Sequence, residues 1–545
     1  MATSSLASEI TIGIDPLDGG FNPHLISEDS AFVRALADLV LPSTHVNGRP
    51  NTDLVESVDF VEPSAPGVAQ TVRYVLNPAA QWSDGAPITG ADFSFLRDSM
   101  VSTPGVIGAA GYEQISAIRT SGGGRTIDVD FRRGVADISG LFNHLLPSHL
   151  LRDSADGFTT GLDHIIPAAG GRYTVARVDR QRGAVTLVRN DRFWGPDPAK
   201  TETLNFREVR SVQQGVQMLR SGQASYFDVT PEETTFDAFS LLPETRVSVR
   251  EHETVLELTL SVTSPVLSTA AVRRELVGLI DRNQVARLAT GRSTNLVIPD
   301  FPVSEPGDIG AGDFGDDGPE EDLNGDNKFS SADIGTVGPT LELATRSTPL
   351  RIAVDPADRM ATAAANTIVD ILRSKGINAE VVLAPFTDIA GKLLPAGDAD
   401  AVVGHQRTTM DPVTLADRFL CPVALDPDDV TASTGSPNDV SSMSSRSRKR
   451  TSIRSGNLSG ICSRKLDGTL LSMLAGTMNP EDVIPELRRV EQSEVLSIPL
   501  VTENRVIVLG PGIVVPDADI ENWSANPGGI TGLLSTAAGW TAKEE

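Results

Sequence analysis

Scarcity narrows the possibilities first. The chain of 545 residues holds only two cysteines, Cys421 and Cys462, too far apart for a Cys-x-x-Cys redox or zinc site. One disulfide outside the cytoplasm or two buried thiols both fit that count. Basic residues are outnumbered, 46 Lys and Arg against 72 Asp and Glu, for a formal net charge of −26. A protein that tracks nucleic-acid phosphates needs a basic face to release counterions, so nucleic acid is excluded as a partner and solubility is the expected consequence. No apolar run approaches the ~18 residues that cross a bilayer, and no signal-peptide core follows Met1. The opening Met1-Ala2-Thr3-Ser4-Ser5 reads as the start of a mature chain.

Catalytic signatures are missing as well. No G-x-S-x-G elbow, H-E-x-x-H pair or Walker A loop occurs. The histidines are scattered, and His24, His144 and His149 read as solvent-facing or capping residues rather than ligands. Acidic pairs are abundant in so acidic a chain and form no constellation. Gly310-Ala311-Gly312-Asp313-Phe314-Gly315 fits G-x-G-x-x-G, but no strand leads in and no helix follows. Asp308, Asp313, Asp316 and Asp317 would also repel a pyrophosphate. The expectation is a protein that is not an enzyme.

What the chain does contain is concentrated in one segment. Tyr74-Val75-Leu76 supplies a strand, Ser83-Asp84-Gly85 a turn, and Thr89 a helix cap, with Asp92 placed to close a capping box. Phe93, Leu96 and Met100 then fall on one helical face. Further on, Leu350 to Val354 reads as a strand, and Ile368, Ile371 and Leu372 mark the buried stripe of the following helix. Gly376 sits where a helix end needs a left-handed residue, and Ala379 to Leu383 is the next strand. Strand, helix, strand at this spacing implies a right-handed crossover in a parallel sheet. Val272, Leu276, Leu279 and Ile280 line a helix capped near Ser268 or Thr269.

The segment from Gln81-Trp82-Ser83-Asp84-Gly85 through Pro87-Ile88-Thr89 to Asp92-Phe93 resembles the hallmark of family 5 (cluster C), the dipeptide/oligopeptide class of ABC-importer solute-binding proteins. Collinear segments extend the resemblance. They are Leu145-Leu146-Pro147-Ser148-His149-Leu150, Gly170 to Val175, Leu187 to Gly195, Leu219-Arg220-Ser221-Gly222, Val272-Arg273 with Ile280-Asp281-Arg282, Gly376-Ile377 and Ile498-Pro499-Leu500. Within the family, Gly20 to Leu25, Ala110-Gly111-Tyr112 and Asn190 to Pro196 resemble an actinobacterial lipoprotein branch associated with mannosylated cell-envelope lipids.

The resemblance implies an α/β, two-lobed, periplasmic-binding-protein-like fold of class II, peptide-binder type, with an extra inserted α/β domain. Lobe I is expected from residues 1–50, 168–250 and 498–545, the inserted domain from 51–167, and the second large lobe from 251–497. That last lobe is interrupted by a Gly/Asp-rich stretch, 305–333, and a Ser/Arg-rich one, 441–457, both read as exposed loops. The family's compartment is extracytoplasmic, which favours a Cys421–Cys462 disulfide and implies an upstream signal and lipidated cysteine anchoring a monomer to the membrane.

The implied ligand cleft is lined by Phe21, Asn22, Ser27, Glu28 and Asp29 from one lobe and by His405, Gln406, Arg407, Thr408 and Asp411 from the other. The family's tryptophan falls on His405, and its aspartate for a peptide ammonium falls near Thr408, although Asp411 remains. Losing that carboxylate removes a charge-assisted partner worth ~1.5–3 kcal/mol. Arg407 points instead to an anionic or hydroxyl-rich ligand, since its fork suits carboxylate or phosphate, unless it is engaged in a salt bridge across the hinge.

Two further features carry chemistry. In Asp322-Leu323-Asn324-Gly325-Asp326-Asn327-Lys328-Phe329-Ser330-Ser331-Ala332-Asp333, oxygen ligands fall as in a calcium loop: Asp322, Asn324, Asp326, the Lys328 carbonyl, Ser330 and Asp333. The stretch resembles a single dockerin-type repeat with Asn327 at the turn, while Gly335, Gly338 and Pro339 work against an exiting helix. Weak structural calcium or an acidic solvated loop both fit. The basic run Arg446, Arg448, Lys449, Arg450 and Arg454 reads as a solvated loop or a contact for anionic headgroups. The expected function is capture of a peptide or an anionic, glycan-like ligand for an ABC permease. The alternative is a non-transport regulator acting with the glycosyltransferase machinery of phosphatidylinositol mannoside and lipoarabinomannan synthesis.

Overall fold

The computed structural model describes residues 8–63, 65–299, 339–408, 411–425, 451–516 and 532–542. The calcium-loop residues Asp322, Asn324, Asp326, Lys328, Ser330 and Asp333 lie outside the described residues, as do Arg446, Arg448, Lys449 and Arg450.

One long curled sheet runs through both lobes. Its strand order is Ala379–Leu383, Leu350–Val354, Ala401–Arg407, Arg246–Leu260, Ser497–Leu509, Tyr226–Val229, Glu9–Ile14, Thr203–Glu208, Ala184–Arg189 and Tyr173–Asp179. The two longest strands, Arg246–Leu260 and Ser497–Leu509, are antiparallel neighbours at its centre. Near Leu509 they pair beside Tyr226–Val229 of the first lobe, and near Ser497 beside Ala401–Arg407 of the second. Their register shifts between Glu251 and Val255 and again at Leu256–Glu257. Such irregularities bend a strand and break its ladder, which suits a connection between two bodies.

Alternation explains the central strand. Leu256, Leu258 and Leu260 enter the second lobe's core with Ile352, Ile368 and Leu372, while Glu257 turns to the opposite face and meets Arg418 at 2.9 Å. Leu350–Val354 and Ala379–Leu383 are parallel, joined through helix Arg359–Ser374, and Gly376 takes φ +84° after that helix. Helix Ala270–Leu279 is capped by the Thr269 hydroxyl. A short helix, Pro339–Thr345, begins at Pro339, a position where a missing N–H costs nothing.

A second, antiparallel sheet orders Val55–Val61, Gln70–Leu76, Thr126–Phe131 and Ile115–Ser121. Helix Gly90–Ser102 packs on it. Thr89 and Asp92 form the capping box, and Phe93, Leu96 and Met100 are buried. The Asp92 carboxylate has a second role: its other oxygen accepts from the Ser148 amide at 3.1 Å and hydroxyl at 2.7 Å. His149 lies 2.7 Å from Asp84 and against the Trp82 ring, so two distant sequence motifs form one knot. The core of this sheet is continuous with that of the first lobe.

Two readings of the sequence need correction. His24 is interior: burial pushes its imidazole down to about 3, and its Nε2 lies 3.0 Å from the His144 carbonyl. The end of the Ser/Arg-rich stretch is not an exposed loop. Arg454 and Asn457 are buried, and the Arg454 guanidinium donates to Ser261, Thr263 and the Leu458 carbonyl, which removes it from any surface basic patch.

Candidate ligand site between the lobes

The short turn Ile26–Glu28 and helix Ala31–Val40 deliver Asp29 to the face of the first lobe, and strand Ala401–Arg407 ends with Arg407 on the second. The two side chains meet. Arg407 Nε donates to Asp29 Oδ2 and Nη2 to Oδ1, each at 2.7 Å. Asp29 is shared with Arg34, whose Nε donates to Oδ1 at 2.6 Å and Nη2 to Oδ2 at 3.1 Å. Burial works to raise the Asp29 carboxyl, but the two guanidiniums outweigh it and hold Asp29 well below the ordinary carboxylate range. A second bridge crosses the lobes nearby, with Arg359 Nε 3.1 Å from Asp18.

The Arg34–Asp29–Arg407 triad divides the cleft. On one side lies a chamber of about 450 Å³ bounded by Phe21, Ser27, Glu28, Asp358, His405 and the hinge-strand pair Glu503 and Arg505. Arg505 is locked among Asp15, Asp228 and Thr230 and is pushed upward in pKa: burial opposes its charge, but the acidic neighbours prevail. On the other side lies a chamber of about 600 Å³ bounded by the first lobe, the inserted domain and the Asp411–Thr414 turn. Its wall holds His144 2.7 Å from Asp38, Arg172 donating to Asp53 at 2.9 Å, and the partly buried Trp194. Both volumes fall in the range of small-molecule sites.

The residues proposed from sequence separate by role. Asn22 is buried, giving its amide to the Phe158 carbonyl and accepting from the His24 amide, so it braces the loop rather than facing a ligand. Phe21 and Ser27 border the smaller chamber, with Arg180 over the Phe21 ring at 5.1 Å. His405 borders the same chamber; its Nε2 is 3.3 Å from Asp358, and its Nδ1 is buried with no hydrogen-bond partner among the described residues. Gln406 lines narrow crevices, one of them beside Arg407. Thr408 is exposed, at the edge of a separate cavity of about 270 Å³. Asp411 caps helix Pro412–Phe419, accepting from Thr414 at 2.9 Å, and borders the larger chamber. Cys421 and Cys462 are joined by a disulfide. Among the described residues no group of three or more His, Cys, Asp or Glu side chains could hold a metal, and no helix is long and apolar enough to cross a membrane.

Sequence reasoning missed Arg34. A signal existed: it is a lone cation on the apolar face between Val33 and Leu36, a position that demands a buried counter-charge. Arg505, on the hinge strand, carried the same kind of signal among Val506, Ile507 and Val508.

Two lobes strung on shared central strands, with divided space and an ion pair between them, define a binding protein that encloses its ligand. Residues 56–423 match the bacterial extracellular solute-binding proteins, family 5 (middle region), and the chain belongs to that family, which is extracytoplasmic. It is 29% identical, over 98% of its own length and 91% of the relative's, to the probable monoacyl phosphatidylinositol tetramannoside-binding protein LpqW of Mycobacterium tuberculosis. In fold it is similar to the AgaA binding protein of A. tumefaciens R10 solved with agropinic acid, at 14% identity and TM-score 0.66, covering 98% of this chain and 99% of that one. It is likewise similar to the oligopeptide-binding protein AppA of Bacillus subtilis solved with a nonapeptide, at 13% identity and TM-score 0.61, with the same coverage.

Proposed function

We propose that this protein, a monomer tethered outside the cell by an upstream lipid anchor, captures a small peptide-like or hydroxyl-rich molecule in the divided cleft and hands it unchanged to an ABC permease. The observation that carries the reading is the Asp29–Arg407 bridge. It joins two lobes directly at the boundary between two ligand-sized chambers, so ligand contacts and lobe closure share the same residues. Arg407 is already matched by a carboxylate, so an anionic ligand would have to displace Asp29, which disfavours the anionic class offered by the sequence. A thermal-shift panel of peptides and sugars tests this: a melting temperature that rises and saturates with a ligand supports capture, and one unmoved throughout refutes it.

A second reading draws on the larger chamber. Carboxylate, imidazole, amide and guanidinium groups around Trp194 suit vicinal hydroxyls and a sugar's apolar face. With the LpqW relative, this favours recognition of a mannosylated lipid headgroup and a regulatory role beside the envelope glycosyltransferases. A thermal shift produced by mannoside fragments but not by peptides decides for it. Calcium at the 322–333 loop is proposed as structural and weak; a melting point unmoved by millimolar Ca²⁺ and by chelator would remove it.

A further inference from the structure

We propose that the smaller chamber receives its ligand through a cationic group, an ammonium or a guanidinium, with Glu28 as the counter-charge. This deepens the solute-binding reading and rests on it. Charged groups from both lobes and the hinge face this space, and nearly all are matched within the protein. Arg505 is held by Asp15 and Asp228, Arg359 by Asp18, Arg407 by Asp29, and His405 lies against Asp358.

Glu28 is different. It forms no ion pair among the described residues; its carboxylate accepts only the Asn22 amide, 2.6 Å from Oε2. Arg180 is within electrostatic range but directs its donors to the carbonyls of Leu17, Gly19 and Asp163. The carboxylate packs against the Gly20 backbone: a Cβ there would lie 2.5 Å from Glu28 Oε2 and 2.7 Å from Oε1, so a larger residue at position 20 would push the end of the Glu28 side chain aside.

The electrostatics agree with the geometry. Burial lifts the Glu28 carboxyl to about 7; Asp163 and Asp355 add to the lift, and the Asn22 amide and Arg180 oppose it. A carboxylate in that condition gains from a cation what its neighbours already have. The chamber, about 450 Å³, admits a group the size of an amino-acid side chain with room for the rest of a small ligand.

The test is a carboxyl-carbon NMR titration of Glu28 in the full chain, with methylguanidinium and cadaverine as probes and acetate and glucose as controls. Expected are a fall of at least about one pH unit in the Glu28 midpoint with either cation, and an affinity that tightens about tenfold between pH 6 and pH 8. Glu28→Gln should weaken binding by about tenfold or more, with Glu28→Asp as a second variant that keeps the charge. A midpoint unmoved by tens of millimolar of either cation, or equal binding by E28Q, overturns the proposal. Thermal shift separates the two levels. If an uncharged ligand raises the melting temperature while Glu28 ignores cations, only the cation assignment falls; if no ligand of any charge raises it, the capture reading falls.

Discussion

Arg407 and Asp29 stand 378 residues apart in sequence and meet in a two-bond fork, each N···O separation 2.7 Å, from opposite lobes of the cleft. Because Arg34 grips the same carboxylate from within the first lobe, Asp29 is a single anion serving two buried or nearly buried cations. Its removal and the removal of Arg407 are therefore unequal events.

Asp29→Asn removes the carboxylate that both guanidiniums share and is expected to destabilise the protein by about 3–5 kcal/mol. Arg407→Ala leaves the Asp29–Arg34 pair intact, costs less, and loosens the contact between lobes. Urea unfolding should rank the two variants in that order, and scattering should show a larger radius for Arg407→Ala than for wild type without ligand.

The same triad fixes an acid response. The folded carboxyl of Asp29 is depressed, so its contribution to stability is present above the unfolded value near 3.9 and is lost as pH falls through the folded one. The lobes should thus remain joined at pH 4. Equal scattering profiles at pH 4 and pH 7 would bear this out; separation already at pH 5 would contradict it.

Glu113 behaves in the opposite sense. Burial, reinforced by Asp417 and Asp467 against the pull of Arg132, lifts its carboxyl to about 7. A raised acid favours the folded state most below its unfolded value, near 4.3, and that advantage is lost as pH rises through the folded one. Glu113→Gln should therefore raise stability by on the order of 1–3 kcal/mol at pH 8 and change little at pH 4, read as melting temperature against pH.

The Cys421–Cys462 disulfide closes a separation of 41 residues and ties the end of helix Pro412–Phe419 to the start of helix Arg464–Leu474. Reduction, or Cys421→Ser with Cys462→Ser, is expected to cost about 4 kcal/mol in the chain-entropy account. Denaturant midpoints with and without reductant measure it.

Some of the structure was legible because its causes are local. The Thr89–Asp92 capping box, the buried stripe of helix Arg359–Ser374 and the left-handed Gly376 follow from hydrogen bonds and periodicities spanning a few residues. Arg454, the last member of the basic run, misled for a related reason. Composition near Arg454 describes a loop, whereas Ser261 and Thr263, far earlier in the chain, draw that guanidinium into the interior.

By itself, then, the sequence determined the elements, their caps, the crossover unit and, through collinear motifs, membership of a two-lobed binding class. Only the tertiary structure decided that Arg407 answers Asp29, that Asn22 is a brace, that the cleft is split into two chambers, and that Glu28 has no ion-pair partner among the described residues. These are relations between side chains that come together only when distant strands share a sheet. Electrostatic matching depends on that proximity and on burial, and neither is written in local pattern.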